Sequence, residues 1–265
     1  MNFTLTTLGT ASARPTVGNH HSAHVVNLHG RLFLIDCGEG TQVQLARFGI
    51  SKAHLDNILL THLHGDHVFG IFGLLSTMAL NGRTAPLYIY APRDFASLLN
   101  FFMGHFGEGV KYEIHHIPLK MSAPEVVAEF RNCKVWAFPL KHRIDCFGYK
   151  IVYDRQPRHE GEQLIHKEFA FCSDTAPFPE EVEWVRGADL IFHEATFADE
   201  HAELAGRMYH STARDAARVA AGAGASKLVL GHFSSRYKDL GGLLAEAREV
   251  FPQSFLAEEG KIFEI

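Results

Sequence analysis

One seven-residue word, Thr61-His62-Leu63-His64-Gly65-Asp66-His67, constrains this chain more than any other, because three imidazoles and a carboxylate fall within six positions. Asn57 to Leu60 just before it is a short branched apolar run that reads as a buried strand, and Val68 to Leu80 just after it reads as a helix. The word therefore sits at a strand-to-helix turn. His62 and His64 are two apart on an extended segment, so both rings point the same way, while Gly65 lets the backbone swing round before Asp66 and His67. Imidazole nitrogen with carboxylate oxygen suits zinc or a similar divalent ion, at about 2.0–2.2 Å. Four such groups exceed what one open catalytic ion needs, which points to two ions sharing ligands from elsewhere in the chain. A His-rich surface turn is the plain alternative, and it rarely follows a buried strand in this order.

The 265 residues suffice for one large α/β domain or two smaller ones, and no internal linker decides between them. An apolar content of 46% and a charged content of 21% fit a globular chain. The net charge of −5 offers nucleic acid no general attraction, so RNA would have to be held by a local basic patch or by metal–phosphate contacts. Eighteen His make each single one less informative, and position has to discriminate among them. Cys37, Cys133, Cys146 and Cys172 form no Cys-x-x-Cys pair and fall mostly in apolar segments, which predicts buried reduced thiols. The amino end lacks a basic region followed by an apolar stretch, and no run of about 18 apolar residues occurs, so a cytoplasmic enzyme is expected.

In chain order, Phe3 to Leu8 alternates as a strand and ends in Gly9-Thr10-Ala11-Ser12, a loop small enough to approach a ligand with its backbone. Ala23 to Leu28 and Leu32 to Ile35 flank His29-Gly30-Arg31 as a hairpin, and the second strand runs into Asp36-Cys37-Gly38-Glu39-Gly40, a tight turn before a helix through about Phe48. Asp36 reads equally as a carboxylate that orients a metal-bound His and as a turn residue. Pro86 to Ala91 is a predicted strand, with Pro92 opening a helix through Phe106 whose Phe95, Leu98, Leu99 and Phe102 form a core-facing stripe. Tyr112 to Ile117, Cys133 to Leu140, Cys146 to Tyr153, Glu168 to Cys172, Asp189 to Phe192 and Lys227 to Leu230 read as strands, and Asp154 to Glu162 as a surface turn. Pro179 to Arg186, a segment after His210-Ser211-Thr212 through about Ala223, and Lys238 to Phe251 read as helices, with Ser211 or Thr212 as an N-cap. Strands and helices alternate without a sequence repeat, which predicts an α/β layered fold.

His62 with His64, His142, Asp174 and His232 all lie where an apolar strand stops, and strand ends on one sheet edge assemble a site from distant residues. Taken singly, His142, Asp174 and His232 read as readily as polar loop residues. Their order and neighbours carry more. Leu8-Gly9-Thr10, Asp36-Cys37-Gly38-Glu39-Gly40-Thr41-Gln42, the His-x-His-x-Asp-His word, Phe147-Gly148-Tyr149, Ser173-Asp174-Thr175, His193-Glu194-Ala195-Thr196, His210-Ser211-Thr212, and His232 with Ser235-Arg236-Tyr237 together span almost the whole chain. This set resembles the metallo-β-lactamase superfamily and, within it, the ribonuclease Z branch. The His-rich word marks the superfamily only, whereas the Asp-Cys-Gly-Glu-Gly-Thr-Gln, His-Glu-Ala-Thr and His-Ser-Thr words are specific to the branch.

The resemblance implies an α/β, four-layer αββα sandwich over residues 1–265 as a single hydrolase domain, and a homodimer. It implies one zinc on His62, His64, His142 and Asp174, and a second ion, zinc or manganese, on Asp66, His67, His232 and the shared Asp174. Two ions about 3.5–4 Å apart need an anionic ligand between them, and a water between them loses a proton near neutral pH to attack a phosphodiester, with Asp66 placed to accept or steer that proton. His210 matches the family's proton donor to the leaving alkoxide, and Glu194 its orienter, since a neighbouring carboxylate favours the charged imidazole that a general acid requires. For these two the plain alternatives are capping of the following helix and a buried ion pair.

The chain departs from the tRNA-processing members in one respect. They carry a long arm with a Gly-Pro motif between the Phe-Gly-Tyr and Gly/Ser-Asp-Thr strands, and here that interval is only Lys150 to Cys172. Arg14 to Asn19 likewise only loosely matches the loop that helps to recognise the tRNA 3′ end. The expected activity is therefore a metal-dependent phosphodiesterase acting on tRNA precursors or on smaller phosphodiesters. A thioesterase or lactonase on the same fold is the alternative, and His210 discriminates, because a thiolate leaves without an acid whereas an alkoxide profits from one.

Overall fold

The computed structural model describes every residue except Met1, Arg158, Glu160 and Glu162. The described chain divides into two compact units. The first comprises Met1–Lys120, Ser234–Arg236 and Ala257–Glu264, and the second Met121–Phe233, Tyr237–Leu256 and Ile265.

The first unit holds strands β1 (Phe3–Gly9), β2 (Ala23–Leu28), β3 (Arg31–Ile35), β4 (Leu55–Leu59), β5 (Leu87–Pro92), β6 (Ile114–Leu119) and β14 (Ile262–Glu264), in the order β14-β1-β2-β3-β4-β5-β6. Pairings from β14 to β3 are antiparallel and those from β3 to β6 parallel. Helices α1 (Thr41–Arg47), α2 (Gly65–Val68), α3 (Ile71–Leu80) and α4 (Phe95–Phe106) belong to the same unit. Leu45, Leu74, Leu75, Phe95 and Phe102 of these helices pack with Val25, Leu34 and Ile58 of the sheet into one buried core. Each buried aliphatic or aromatic side chain contributes roughly 1.5–3 kcal/mol of transfer free energy.

The second unit repeats the plan. Strands β7 (Glu125–Phe130), β8 (Cys133–Pro139), β9 (Phe147–Arg155), β10 (Ile165–Cys172), β11 (Leu190–Glu194), β12 (Lys227–Gly231) and β13 (Ser254–Leu256) lie in the order β13-β12-β11-β10-β9-β8-β7. Pairings from β7 to β10 are antiparallel and those from β10 to β13 parallel. Helices α5 (Pro179–Trp184), α6 (Ala202–Met208), α7 (Ala213–Ala223) and α8 (Gly241–Arg248) belong to the same unit, and Val185, the buried alanines of α7 and Leu243 pack with Ala170, Ile191 and Leu228. Thr212 is the N-cap of α7 and forms a reciprocal capping box with Asp215, a feature worth about 1 kcal/mol. The absence of a sequence repeat thus coexists with a repeated strand-pairing pattern.

Several boundaries differ from the sequence reading, each for a local reason. The helix read as Val68 to Leu80 is two helices, because the Gly70 N–H donates to the Cys37 carbonyl (2.9 Å) and any Cβ there would lie 2.1 Å from the Gly38 carbonyl oxygen. Pro92 ends β5, in register with Leu119, instead of opening a helix, and Asp94 precedes the first turn of α4. Leu98 on that helix is exposed, whereas Phe95, Leu99 and Phe102 are buried. The last helix is Gly241–Arg248, shorter than the predicted Lys238 to Phe251. Gly9 packs tightly against protein: a Cβ there would fall 1.8 Å from the His21 carbonyl oxygen. The predicted surface turn loses Asp154 and Arg155 to β9, and its residues Arg158, Glu160 and Glu162 lie outside the described ones. All four cysteines are free and buried, as expected. Among the described residues no helix is long and apolar enough to cross a membrane.

Candidate metal centre

Parallel neighbours bring their carboxyl ends to one sheet edge, and each unit uses that edge to gather donors. In the first unit β3 and β4 are such neighbours, so Asp36 follows one and Thr61 the other. Asp36 is completely buried, holds a left-handed φ of 57°, and accepts from the Thr61 N–H (2.9 Å), the Thr61 hydroxyl (2.9 Å), the Ser22 hydroxyl (3.2 Å) and His67 Nδ1 (2.6 Å). Of the two readings of Asp36, the orienting carboxylate is the one the structure supports. With Nδ1–H committed to Asp36, His67 turns Nε2 toward Asp66 Oδ2, 3.6 Å away. His62 Nδ1 lies 3.0 Å from the Thr61 hydroxyl, which leaves its Nε2 3.0 Å from His64 Nδ1. Two lone pairs that converge so closely suit a shared cation. The His-rich word thus sets its donors in two close pairs, His62 with His64 and Asp66 with His67.

The second unit gathers its own set. β10, β11 and β12 run parallel and deliver Asp174, Glu194 and His232, while β8, which runs in the same direction two strands from β10, delivers His142. The His142 Nδ1–H donates to the Tyr209 carbonyl (2.9 Å), so its Nε2 faces Asp174 Oδ2 at 3.9 Å. His232 Nε2 faces the other oxygen, Asp174 Oδ1, at 3.3 Å. One carboxylate thus presents one oxygen to each of two imidazoles, the disposition of a bridging ligand. Asp174, His210 and His232 also lie close enough together to hold an ion.

Glu194, fully buried, is the hub of the polar network behind them. Its Oε1 accepts from His210 Nδ1 (2.9 Å), the Ser211 N–H (2.9 Å) and the Thr175 N–H (3.2 Å), and its Oε2 from the Thr196 N–H (2.9 Å) and hydroxyl (2.7 Å). Burial pushes the Glu194 pKa up, but the facing His210, through charge and hydrogen bond, outweighs it and holds the carboxyl below its ordinary range. His210 is thereby anchored through Nδ1.

Thr61 and Thr196 were not singled out by chemistry in the sequence, yet each completes the same relay. The Thr196 hydroxyl donates to Glu194 and lies 2.9 Å from His232 Nδ1, just as the Thr61 hydroxyl donates to Asp36 and lies 3.0 Å from His62 Nδ1. A carboxylate, a hydroxyl and an imidazole in series fix the tautomer in each unit. The available signal was a threonine adjacent to or two beyond a candidate residue. Tyr237, whose role the sequence left open, accepts from the Ala198 N–H (2.9 Å) and thereby pins the chain that follows Thr196.

With this geometry in hand, the comparisons with known proteins are specific. A family model for the beta-lactamase superfamily domain matches residues 31–233. Ribonuclease Z of Bacteroides fragilis (strain YCH46) is 39% identical over 295 aligned residues, covering 97% of this chain and 97% of that protein. The chain belongs to the ribonuclease Z family. Ribonuclease Z of Parabacteroides distasonis is 37% identical, with 98% of each chain covered. The crystal structure of human tRNase Z, short form, superposes with a TM-score of 0.82 at 29% identity and covers 99% of both chains. The ribonuclease Z resemblance and the α/β metallo-β-lactamase fold, with two mixed helix-flanked sheets, are both borne out.

Proposed function

We propose that this ribonuclease Z family member is a metal-dependent phosphodiesterase, carried above all by the Glu194–His210 pair next to the Asp174 carboxylate. Residues 1–265 act as a single catalytic domain on this reading. One ion is assigned to His62, His64, His142 and Asp174, and the second to Asp66, His67, His232 and Asp174. The imidazole and carboxylate donors gathered within each unit have the chemistry that such a set needs. Their imidazole-rich character favours zinc, with manganese suited to the more oxygen-rich second position.

When bound, two such ions lower the pKa of water and neutralise charge developing on phosphoryl oxygens. Asp66 accepts or steers the proton released by the attacking water. His210 Nε2 gives a proton to the departing alkoxide, while Glu194 holds the ring through Nδ1 and balances its charge. Thr196 couples Glu194 to His232, so the general acid and a metal ligand share one anchor.

One solved relative is named a tRNase, and on that basis we take a tRNA precursor as the large substrate and a cytoplasmic location with it. The absent arm modifies that reading. β9 ends at Arg155 and β10 begins at Ile165, paired to each other as a short hairpin, and the alignment of 295 positions against a chain of 265 residues leaves relatives with segments that this chain lacks. Remote contacts position large substrates, so their loss falls chiefly on the large substrate. We expect efficient cleavage of a small aryl phosphodiester, weak cleavage of a folded tRNA precursor, and little action on a thioester. Specificity constants for all three, beside an arm-containing ribonuclease Z in the same salt and metal, decide the matter. Equal preference for the precursor in both enzymes would defeat the small-substrate reading, and thioester preference would defeat the phosphodiesterase.

The family also supports a homodimer. In the first unit Phe101 and Phe106 of α4 are 59% and 63% exposed beside an apolar cavity of about 320 Å³, a surface with the chemistry for self-association. Light scattering on the purified chain should give twice the monomer mass, and a monomer at micromolar concentration would reject the dimer.

A further inference from the structure

The second unit contains a group of donors that the centre above does not use. Cys172 and His193 are register partners on the parallel strands β10 and β11, so their side chains leave the same face of the sheet, and Glu181 reaches down to them from α5. All three residues are fully buried, and their donor atoms lie within 4.8 Å of one another. They are embedded in the apolar core with Ala170, Val185 and Ile191, where unsatisfied polar groups are costly.

Two details give this group a direction. His193 Nδ1 lies 2.7 Å from the Glu194 carbonyl oxygen and donates to it, the contact that fixes a metal-binding tautomer and turns Nε2 inward. That Nε2 sits 3.1 Å from Glu181 Oε1, out of line for a hydrogen bond, and neither Glu181 oxygen nor His193 Nε2 has a hydrogen-bond partner. Inward-facing acceptors without donors are what a cation satisfies.

We propose that Cys172, His193 and Glu181 form a buried structural site for one thiophilic divalent ion such as zinc. One thiolate sulfur, one imidazole nitrogen and one carboxylate would hold the ion from three residues, each a donor type that zinc accepts. Binding displaces the thiol proton, which leaves with solvent as the ion enters. Because no donor is exposed, the ion is taken up as the chain folds. Its role is to lock α5 against β11 directly behind Glu194.

The competing arrangement is metal-free. Burial disfavours a charged His193, but the facing Glu181 more than offsets it and lifts the imidazole pKa, while burial and Glu181 together keep the Cys172 thiol protonated. The molecule then carries a buried ion pair with a thiol beside it.

Cobalt distinguishes the two, since the His and Asp donors of the catalytic centre contain no sulfur. Protein produced in cobalt-supplemented minimal medium should show a near-ultraviolet thiolate-to-cobalt charge-transfer band and a third equivalent of metal. Asp174→Ala should keep the band and that equivalent while losing catalytic metal, so failure of the catalytic assignment remains separate. Cys172→Ala and Glu181→Gln should each abolish the band, and melting curves would establish that they fold. A wild-type protein without the band would overturn the site in favour of the ion pair, as would a band that survives in Cys172→Ala.

Discussion

Asp174→Ala is expected to empty the catalytic centre of most of its metal and to lower phosphodiester hydrolysis by more than about 10²-fold, the upper scale for loss of a mere orienting partner. Asp174 offers Oδ1 to the His232 side and Oδ2 to the His142 side, so on the proposed assignment its removal would take a ligand from both ions at once. It also removes the anion that offsets two cations. Replacing an imidazole ligand such as His142 takes a donor from one ion only, so a smaller loss is expected there. Metal analysis of the purified variants beside their specificity constants measures both effects. Unchanged content of catalytic metal in Asp174→Ala would sink the bridging assignment.

The legibility of that centre in the sequence has a physical basis. A strand that stops is visible as the end of an apolar run, and β4, β8, β10 and β12 each stop within a few residues of a proposed ligand. What the pattern could not reveal was lateral. The Cys172–His193 adjacency depends on the register of β10 against β11, and Glu181 joins them only because α5 covers that face. β7, Glu125–Phe130, escaped notice because its apolar residues do not alternate cleanly, and its bulge between Val126 and Ala128 shows why. The break at Gly70 was likewise tertiary, set by the Cys37 carbonyl from a distant turn. Asp36 remained ambiguous until β3 was seen beside β4, which places its carboxylate against both Thr61 and His67. Strand ends thus offered the candidate donors and the resemblance selected among them and named Glu194, whereas the hydroxyl links through Thr61 and Thr196 emerge only from tertiary contacts.

His210→Ala should separate proton donation from metal binding. A diester with a poor alkoxide leaving group needs a proton as the P–O bond breaks, and general acids are typically worth about 10²–10⁴-fold in such steps. An activated aryl oxide leaves without that help, so its hydrolysis should fall far less. His210 is partly accessible while its partner Glu194 is sealed in, which suits a ring that offers one nitrogen to substrate and anchors the other. The pH profile provides a second reading. Glu194 is held below the ordinary carboxylate range, so it stays ionised across neutral pH. A general acid must be protonated, so the rate on poor leaving groups should fall on the basic side of the pH profile. In His210→Ala that decline should vanish while bound metal stays at the wild-type level, because none of the seven proposed ligands has changed. An equal loss on both leaving-group classes, with the basic limb intact, would assign His210 to positioning and return proton donation to another group.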